Sequence, residues 1–138
     1  MYEELNFSLS STYSYFIFAE APKSILIQRV GDAGQDIIAA AGEDLELECI
    51  AQGSNPPSKL TWFANGKEIP NGHSQTDDKD SKGTYTSFSR LTLPVSKEDN
   101  HAEISCMATH PALENPITAN KPLTIHCKNS SSIYLACH

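Results

Sequence analysis

The chain has 138 residues, 39% of them apolar, and a net charge of −7 from 10 Lys and Arg against 17 Asp and Glu. This length supports one domain of ordinary size with flanking segments. The basic residues are few and scattered, which argues against nucleic acid and anionic membrane surfaces as partners because both need clustered positive charge. The apolar runs are too short to span a bilayer, so we expect any membrane attachment to depend on a transmembrane segment missing from this sequence.

Residues 1–21 form a predicted leader or flexible flank. Residues 13–18 are mostly apolar and precede small residues, as in a signal peptide, but this apolar run is short. Glu3 and Glu4 also stand near the amino end, where a signal peptide carries positive charge. We therefore expect either that the true start is missing or that the chain is a fragment of a longer protein.

The next segments predict the first strands of a β domain. Residues 24–30 form the first predicted strand, and the turn-rich residues 31–34 are typical of a strand that switches from one sheet to the other. Residues 35–38 continue it. In residues 45–50, leucines and Cys49 alternate with glutamates, which is the period-two pattern of a strand with one buried face.

Turn-forming residues separate the predicted strands in the middle of the chain. Residues 53–57 contain two prolines, and we predict a loop there because each proline removes a backbone donor from a central strand. Trp62 lies in the strand that follows, and the Asn-Gly pair at 65–66 predicts a hairpin turn after it. Residues 70–83 are polar and rich in turn-forming residues, so strands there should be short and exposed.

The carboxyl half predicts three further strands of the sandwich and the two connections between them. Residues 85–95 form a strand, and residues 96–101 form a corner before the strand that carries Cys106. Residues 110–116 are a predicted hairpin loop, and residues 117–126 are the last strand. The face of the 85–95 strand that we expect to be buried holds Ser89, Leu91 and Leu93.

Cys49, Trp62 and Cys106 thus stand on three separate predicted strands. An inter-sheet disulfide in an immunoglobulin sandwich needs two inward-facing cysteines with a bulky ring packed against them. The sequence therefore predicts an all-β, immunoglobulin-like antiparallel sandwich of C2 or intermediate type over residues 22–127, with seven or eight strands and one inter-sheet disulfide. If these cysteines pair, closing the long loop between them stabilises the fold by about 4 kcal/mol.

The predicted core has one departure from the usual pattern. Ile104 stands two residues before the second cysteine, where many immunoglobulin domains carry the tyrosine of the tyrosine corner. This favours a constant-type variant whose corner is fastened in another way. The predicted core residues are Trp62, Leu47, Leu91, Leu93 and Ile104.

Four cysteines in a small β-rich chain favour an oxidising compartment. Near the carboxyl end, Cys127 and Cys137 could bridge each other, pair with another chain or remain free. We predict a flexible tail over residues 128–138 without a defined pairing. Asn6 and Asn129 fit the glycan acceptor pattern and are possible glycosylation sites, both outside the sandwich.

The sequence contains no strong motif for metal binding or catalysis. Residues 78–83 match the start of a calcium-binding EF-hand loop, but Lys82 occupies a ligand position and Ser89 stands where the terminal Glu is required. A solvated acidic loop is the better interpretation. The 5 histidines lack the spacing of a zinc site, and no nucleophile elbow or phosphate-binding loop occurs. We predict no metal, no cofactor and no enzymatic activity.

Three segments carry a family resemblance. Residues 42–49, 59–67 and 96–112 resemble the membrane-proximal C2-type immunoglobulin domains of the nectin-like (synaptic) cell adhesion molecules. The most specific features are the Lys-Glu-Asp corner, the aliphatic residue in place of the corner tyrosine, and His-Pro-Ala at 110–112. Nectins and the nephrin group are similar more loosely. The resemblance covers about residues 22–127.

The resemblance implies a domain from the ectodomain of a single-pass adhesion or recognition receptor at the cell surface. In that family the first, variable-type domain carries the homophilic or heterophilic contact, and later C2-type domains space and orient it. Because the sequence shows no such first domain, the family's adhesive residues cannot be transferred to it. Only Cys49, Cys106 and Trp62 correspond position by position, and their implied role is structural.

Three function classes are consistent with these features. We rank first an extracellular adhesion or recognition module that mediates or spaces protein contacts between cells, with a homophilic or heterophilic immunoglobulin-family receptor as partner. A secreted soluble binding protein and an intracellular structural module, which would fold without a disulfide, are the alternatives. The expected contact surface is the sheet of the Trp62 strand together with its adjoining loops. The predicted contact residues in these loops are Asn55, Pro57, His110 and Leu113.

Overall fold

The computed structural model describes residues 19–128 and 134–136, which form two β-sheets and one short 3-10 turn. The strands are β1 (Ser24–Arg29), β2 (Ile37–Ala40), β3 (Asp44–Ser54), β4 (Lys59–Ala64), β5 (Lys67–Glu68), β6 (His73–Lys79), β7 (Tyr85–Pro94), β8 (Glu103–Thr109), β9 (Ile117–Lys128) and β10 (Tyr134–Ala136). The 3-10 turn, Lys97–Asp99, lies between β7 and β8.

The strands divide into two sheets that match the predicted sandwich. Sheet I has the order β1-β3-β7-β6, and sheet II has the order β10-β9-β8-β4-β5, with β2 paired to β9. The all-β immunoglobulin-like fold is confirmed. The predicted count of seven or eight strands is too low, because the described residues contain ten, and one pairing departs from the antiparallel pattern, because β2 runs parallel to β9. The strands β5 and β10 have only two and three residues, too few to produce an alternating pattern.

The first strand crosses from one sheet to the other, as its glycine-rich turn predicted. β1 pairs with β3 in sheet I, whereas β2 pairs with β9 in sheet II. An ion pair supports the crossing, since Arg29 Nη2 lies 2.7 Å from Glu43 Oε2. The Arg29 Nη1 group also donates to the Ile38 carbonyl, and Glu43 Oε1 accepts the Ala40 N–H at 2.6 Å. Two charged side chains therefore join both halves of the split strand to the start of β3.

The core lies between the sheets around the predicted disulfide. Cys49 on β3 is bonded to Cys106 on β8, so the inter-sheet bridge is confirmed. Trp62 is fully buried beside it, and its indole N–H donates to Ser89 Oγ at 2.9 Å. This bond satisfies the only polar group of the ring. Of the other predicted core residues, Leu47, Leu91 and Ile104 are buried and Leu93 packs half-buried against them.

The corner before β8 is fastened by Asn100. Its side-chain oxygen accepts the N–H of Ile125 at 2.9 Å, which ties the corner to β9. The adjoining backbone adds two bonds, from His101 N–H to the Leu123 carbonyl and from Leu123 N–H to the Ala102 carbonyl. These bonds take the place of a tyrosine hydroxyl, and the position of that tyrosine is filled by a buried apolar side chain.

The carboxyl segment differs from the predicted tail. Tyr134–Ala136 forms β10, which pairs antiparallel with the end of β9. Cys127 is disulfide-bonded, in contrast to the predicted lack of a defined pairing. Asn6, Asn129 and Cys137 lie outside the described residues.

Candidate protein-contact surface

His110 joins the two loops that the sequence predicted as contact loops. Its Nε2 donates to the Pro56 carbonyl at 2.8 Å, and its Nδ1 accepts the Ala112 N–H at 3.0 Å. The second bond requires a lone pair on Nδ1, which places the ring proton on Nε2. His110 is only 7% exposed. It is therefore a strut between the loops, not a side chain available to a partner.

The other predicted contact residues surround this strut. Asn55 is half-buried, and its backbone exchanges two hydrogen bonds with Glu20. Pro57 is also half-buried and lines a shallow depression together with Lys59 and Pro111. Leu113 is half-buried on the opposite loop, where its N–H donates to the His110 carbonyl at 3.0 Å. The structure thus brings all four predicted residues to one end of the sandwich.

Gln75 holds the strand beneath these loops and was missed by the sequence analysis. It lies on β6 of sheet I, yet its amide reaches the edge of β4 in sheet II. Nε2 donates to the Ser58 carbonyl at 2.6 Å, and Oε1 accepts the Leu60 N–H at 3.1 Å. Since β5 pairs only with the far end of β4, this amide covers an edge that would otherwise be open. A lone glutamine in a polar segment gave no signal of this role.

The outer face of sheet II continues from the loops and has a small apolar centre. Its residues follow from the strand register, because cross-strand partners share a face. Phe63 and Met107 are half-buried there, and Thr61 and Thr118 lie directly opposite Met107 on the neighbouring strands. Among the described side chains, the charged ones at the outward positions of this face are those of Lys59, Glu68 and Glu103.

Sheet I presents a more acidic outer face. Glu48 lies between Gln28 and Arg90, and its carboxylate accepts hydrogen bonds from both. The remaining outward carboxylates on β3 and β6 are those of Asp44, Glu46 and Asp78. The charges on the outer face of sheet II are more nearly balanced, which makes that face the better candidate for a protein contact, since like charges disfavour association.

The acidic loop at residues 78–83 is a hairpin turn that hydrogen bonds to one carboxylate hold together. The Asp80 carboxylate accepts N–H groups of Lys82 at 2.8 Å and Thr84 at 3.0 Å, and the Thr84 hydroxyl at 2.6 Å. The side-chain bond from Thr84, followed by the backbone bonds, lowers the pKa of Asp80. Its oxygens are thus engaged in holding the turn. Within residues 19–128 and 134–136 no group of three or more His, Cys, Asp or Glu side chains is arranged to hold a metal.

No helix in the described part of the chain has the length and apolar character needed to cross a membrane.

Known proteins with a similar sequence include several named for adhesion. The chain is 28% identical to mouse cell adhesion molecule 1 over 117 residues, which is 85% of this chain and 24% of that protein. It is 30% identical to human cell adhesion molecule 2 over 93 residues, covering 67% of this chain and 21% of that protein. Mouse nephrin is 39% identical over 72 residues, covering 49% of this chain and 5% of nephrin. The chain thus spans about a quarter or less of these relatives, which confirm the predicted resemblance.

Among solved structures, the crystal structure of Rst D1-D2 has the same fold. Its TM-score is 0.71 at 23% sequence identity, and the match covers 78% of this chain and 50% of that one. The sequence profile of the CD80-like C2-set immunoglobulin domain matches residues 32–117, which include both cysteines of the inter-sheet bridge and Trp62. The chain therefore belongs to the family of CD80-like C2-set immunoglobulin domains.

Proposed function

We propose that this chain is an extracellular immunoglobulin-like module of a cell-surface adhesion or recognition receptor, which mediates or spaces protein contacts between cells and catalyses no reaction. The relatives named as cell adhesion molecules support the adhesion role. The disulfide between the sheets supports an oxidising compartment and thus an extracellular or secreted chain. The partner would be an immunoglobulin-family receptor, either a second copy of this chain or a different one.

One observation supports direct contact by this module. The loop strut His110 fixes two loops against each other, and the strands β4 and β8 that continue from these loops carry the apolar centre at Phe63 and Met107. Loops that are already ordered lose little conformational entropy on binding, so more of the contact energy remains as affinity. An apolar centre surrounded by threonines and a few charges also resembles the usual anatomy of a protein interface.

Sedimentation equilibrium of the oxidised full chain tests the homophilic form of this proposal. We expect a reversible dimer between micromolar and near-millimolar concentrations, and we expect Phe63→Ser to weaken it. Phe88→Ser is the matched control, because Phe88 is also a half-buried phenylalanine on an outer face, but on sheet I. Equal weakening by both substitutions, with both variants folded, would contradict a contact through sheet II.

Cell binding tests the heterophilic form. Beads coated with the chain should bind cells that display a partner receptor, and the double substitution Pro57→Ala with Leu113→Ala should lower that binding. His110 is left intact in this variant because its loss would release both loops. If neither the loop variant nor Phe63→Ser changes dimerisation or cell binding, the module acts as a spacer.

Reductant separates the extracellular proposal from the intracellular alternative. An intracellular structural module would remain folded and functional with reduced cysteines, whereas we expect this chain to lose much of its stability. Secretion from animal cells should also add glycans at Asn6 and Asn129, which we propose as acceptor sites. Each substitution of these asparagines by glutamine should remove one glycan, read as an electrophoretic shift that glycosidase treatment abolishes.

A further inference from the structure

Two Asn-Gly pairs stand in neighbouring turns of this chain. Asn65-Gly66 joins β4 to β5, and Asn71-Gly72 precedes β6. Both glycines have a positive φ, of 80° and 86°. In such a pair the glycine nitrogen can reach the asparagine side-chain carbon, because glycine has no Cβ to hinder the approach. The two pairs therefore share one intrinsic reactivity and differ in their surroundings and in backbone conformation, since Asn65 has a positive φ of 49° and Asn71 does not.

The side chain of Asn65 is held by β8. Its Oδ1 accepts the Glu103 N–H at 2.9 Å, and its own backbone N–H donates to the Glu103 carbonyl at 2.8 Å. These two bonds fix the carboxamide relative to the turn. For Gly66 to attack it, the bond from Glu103 must first break, which adds to the barrier.

The side chain of Asn71 has no such restraint. It is exposed, and neither its carboxamide nor the Gly72 N–H forms a hydrogen bond with any described residue. Gly72 is held only through its carbonyl, which accepts the Thr92 N–H at 2.9 Å. The attacking nitrogen and the carbon that it attacks are therefore both free to approach each other.

The fold itself requires glycine after Asn71. A Cβ at position 72 would lie 3.0 Å from the Thr92 carbonyl oxygen, which is a backbone atom that cannot move aside cheaply. The φ of 86° adds a second reason, since other residues rarely adopt it. The turn that starts β6 thus needs the one residue that makes the preceding asparagine reactive.

We propose that Asn71 is a site of spontaneous deamidation in the folded protein, and that Asn65 is protected. The Gly72 nitrogen bonds to the Asn71 side-chain carbon and loses its proton, while the carboxamide C–N bond breaks and ammonia leaves. Water then opens the resulting succinimide at either carbonyl, which yields aspartate or isoaspartate. Each product carries one additional negative charge, and the reaction consumes only water.

Isoaspartate would change the structure at the edge of sheet I. It places an extra carbon in the backbone directly before Gly72, so the Gly72 carbonyl can no longer meet the Thr92 N–H in the same register. This bond is the first that holds the chain to β7 at the start of β6. We therefore expect deamidation to loosen the start of β6.

Peptide mapping tests the proposal on the full oxidised chain. After incubation at neutral pH, reduction and trypsin digestion, Asn65 lies in the peptide of residues 60–67 and Asn71 in that of residues 68–79. We expect Asn71 to deamidate at least about fivefold faster than Asn65, the factor that one hydrogen bond supplies. Mass spectrometry quantifies both products, and fragmentation distinguishes isoaspartate from aspartate.

The same incubation in denaturant is the internal control. We expect the two rates to approach each other when the chain is unfolded, because the bonds to Glu103 are then absent. Equal deamidation rates of Asn71 and Asn65 in the folded chain, or a difference that persists in full after unfolding, would overturn the proposal.

Hydrogen exchange tests the loosening of β6. Exchange at the Thr92 amide should accelerate in aged wild-type chain and remain unchanged in Asn71→Gln, which cannot form the five-membered ring. Unchanged exchange in deamidated wild type would overturn the loosening of β6.

Discussion

The centre of the sandwich and its rim are held by different kinds of interaction. Around Cys49 and Cys106, fully buried apolar side chains and a covalent bond join the sheets. At the rim, single polar side chains bind backbone groups of another strand or loop, as Asn100, Gln75 and His110 do. Loss of a central group should therefore destabilise the whole domain, whereas loss of a rim group should mainly open one edge or loop.

Removal of the inter-sheet disulfide should have the largest effect. The bridge spans a sequence separation of 57 residues, and the double substitution Cys49→Ala with Cys106→Ala should lower the free energy of unfolding by about 4 kcal/mol, because the unfolded chain regains entropy. Urea denaturation of the variant and of wild type, each with and without reductant, measures this. If reductant left the urea midpoint of wild type unchanged, this result would contradict the central role of the bridge.

Ile104 belongs to the centre of the sandwich, although it stands at the position of the corner tyrosine. It is fully buried between the sheets, and Ile104→Ala should cost about 2 to 5 kcal/mol of stability through lost contacts and a cavity. Leu113→Ala is the matched control, since Leu113 is a half-buried aliphatic residue in a loop. Comparable losses for the two variants would show that position 104 is not part of the central core.

Asn100 tests how the corner is held in the absence of tyrosine. Asn100→Ala leaves the Ile125 N–H without its acceptor, at a cost of about 1 to 3 kcal/mol if that group stays dry. The exposed Asn120 provides the control, because its substitution by alanine removes only a surface bond to Ser105. Hydrogen exchange should accelerate first at Ile125, and equal exchange in both variants would refute the assignment of Asn100 as the corner fastener.

Gln75 tests the other edge of the sandwich. Gln75→Ala removes both bonds to the edge of β4 and should lower the free energy of unfolding by about 1 kcal/mol, since the freed groups become accessible to water. Amide exchange at Leu60 should rise without a matching rise at the buried Trp62. Gln75→Glu keeps an acceptor for the Leu60 N–H but places a carboxylate oxygen where the amide nitrogen donates to the Ser58 carbonyl and to Asp77 Oδ1, so it should destabilise this edge at least as much as alanine does.

The central region could be predicted from the sequence, whereas the rim could not. Alternating apolar residues around Cys49 and Cys106, with Trp62 between them, suffice to place a core because burial follows a period of two. Gln75 and Asn100 carry no such pattern, since one polar side chain reaches a backbone group on a strand far away in sequence. His110 was placed at the right loop, but its role as a strut depends on a bond to Pro56, 54 residues away.

Asp80 should have the smallest effect, and its effect should depend on pH. Hydrogen bonds from Thr84 and Lys82 lower the pKa of the Asp80 carboxyl in the folded chain below that of the unfolded chain. The contribution of Asp80 to stability is therefore fully present above the unfolded value and is lost as the pH falls through the folded pKa. Exchange at the Thr84 amide should accelerate in Asp80→Ala near neutral pH and match wild type in strong acid. Asp78→Ala is the control, because it removes a neighbouring carboxylate on β6, and it should leave exchange at the Thr84 amide unchanged. If Asp78→Ala accelerates this exchange as much as Asp80→Ala does, the negative charge of the segment, and not the hydrogen bonds of Asp80, holds the hairpin.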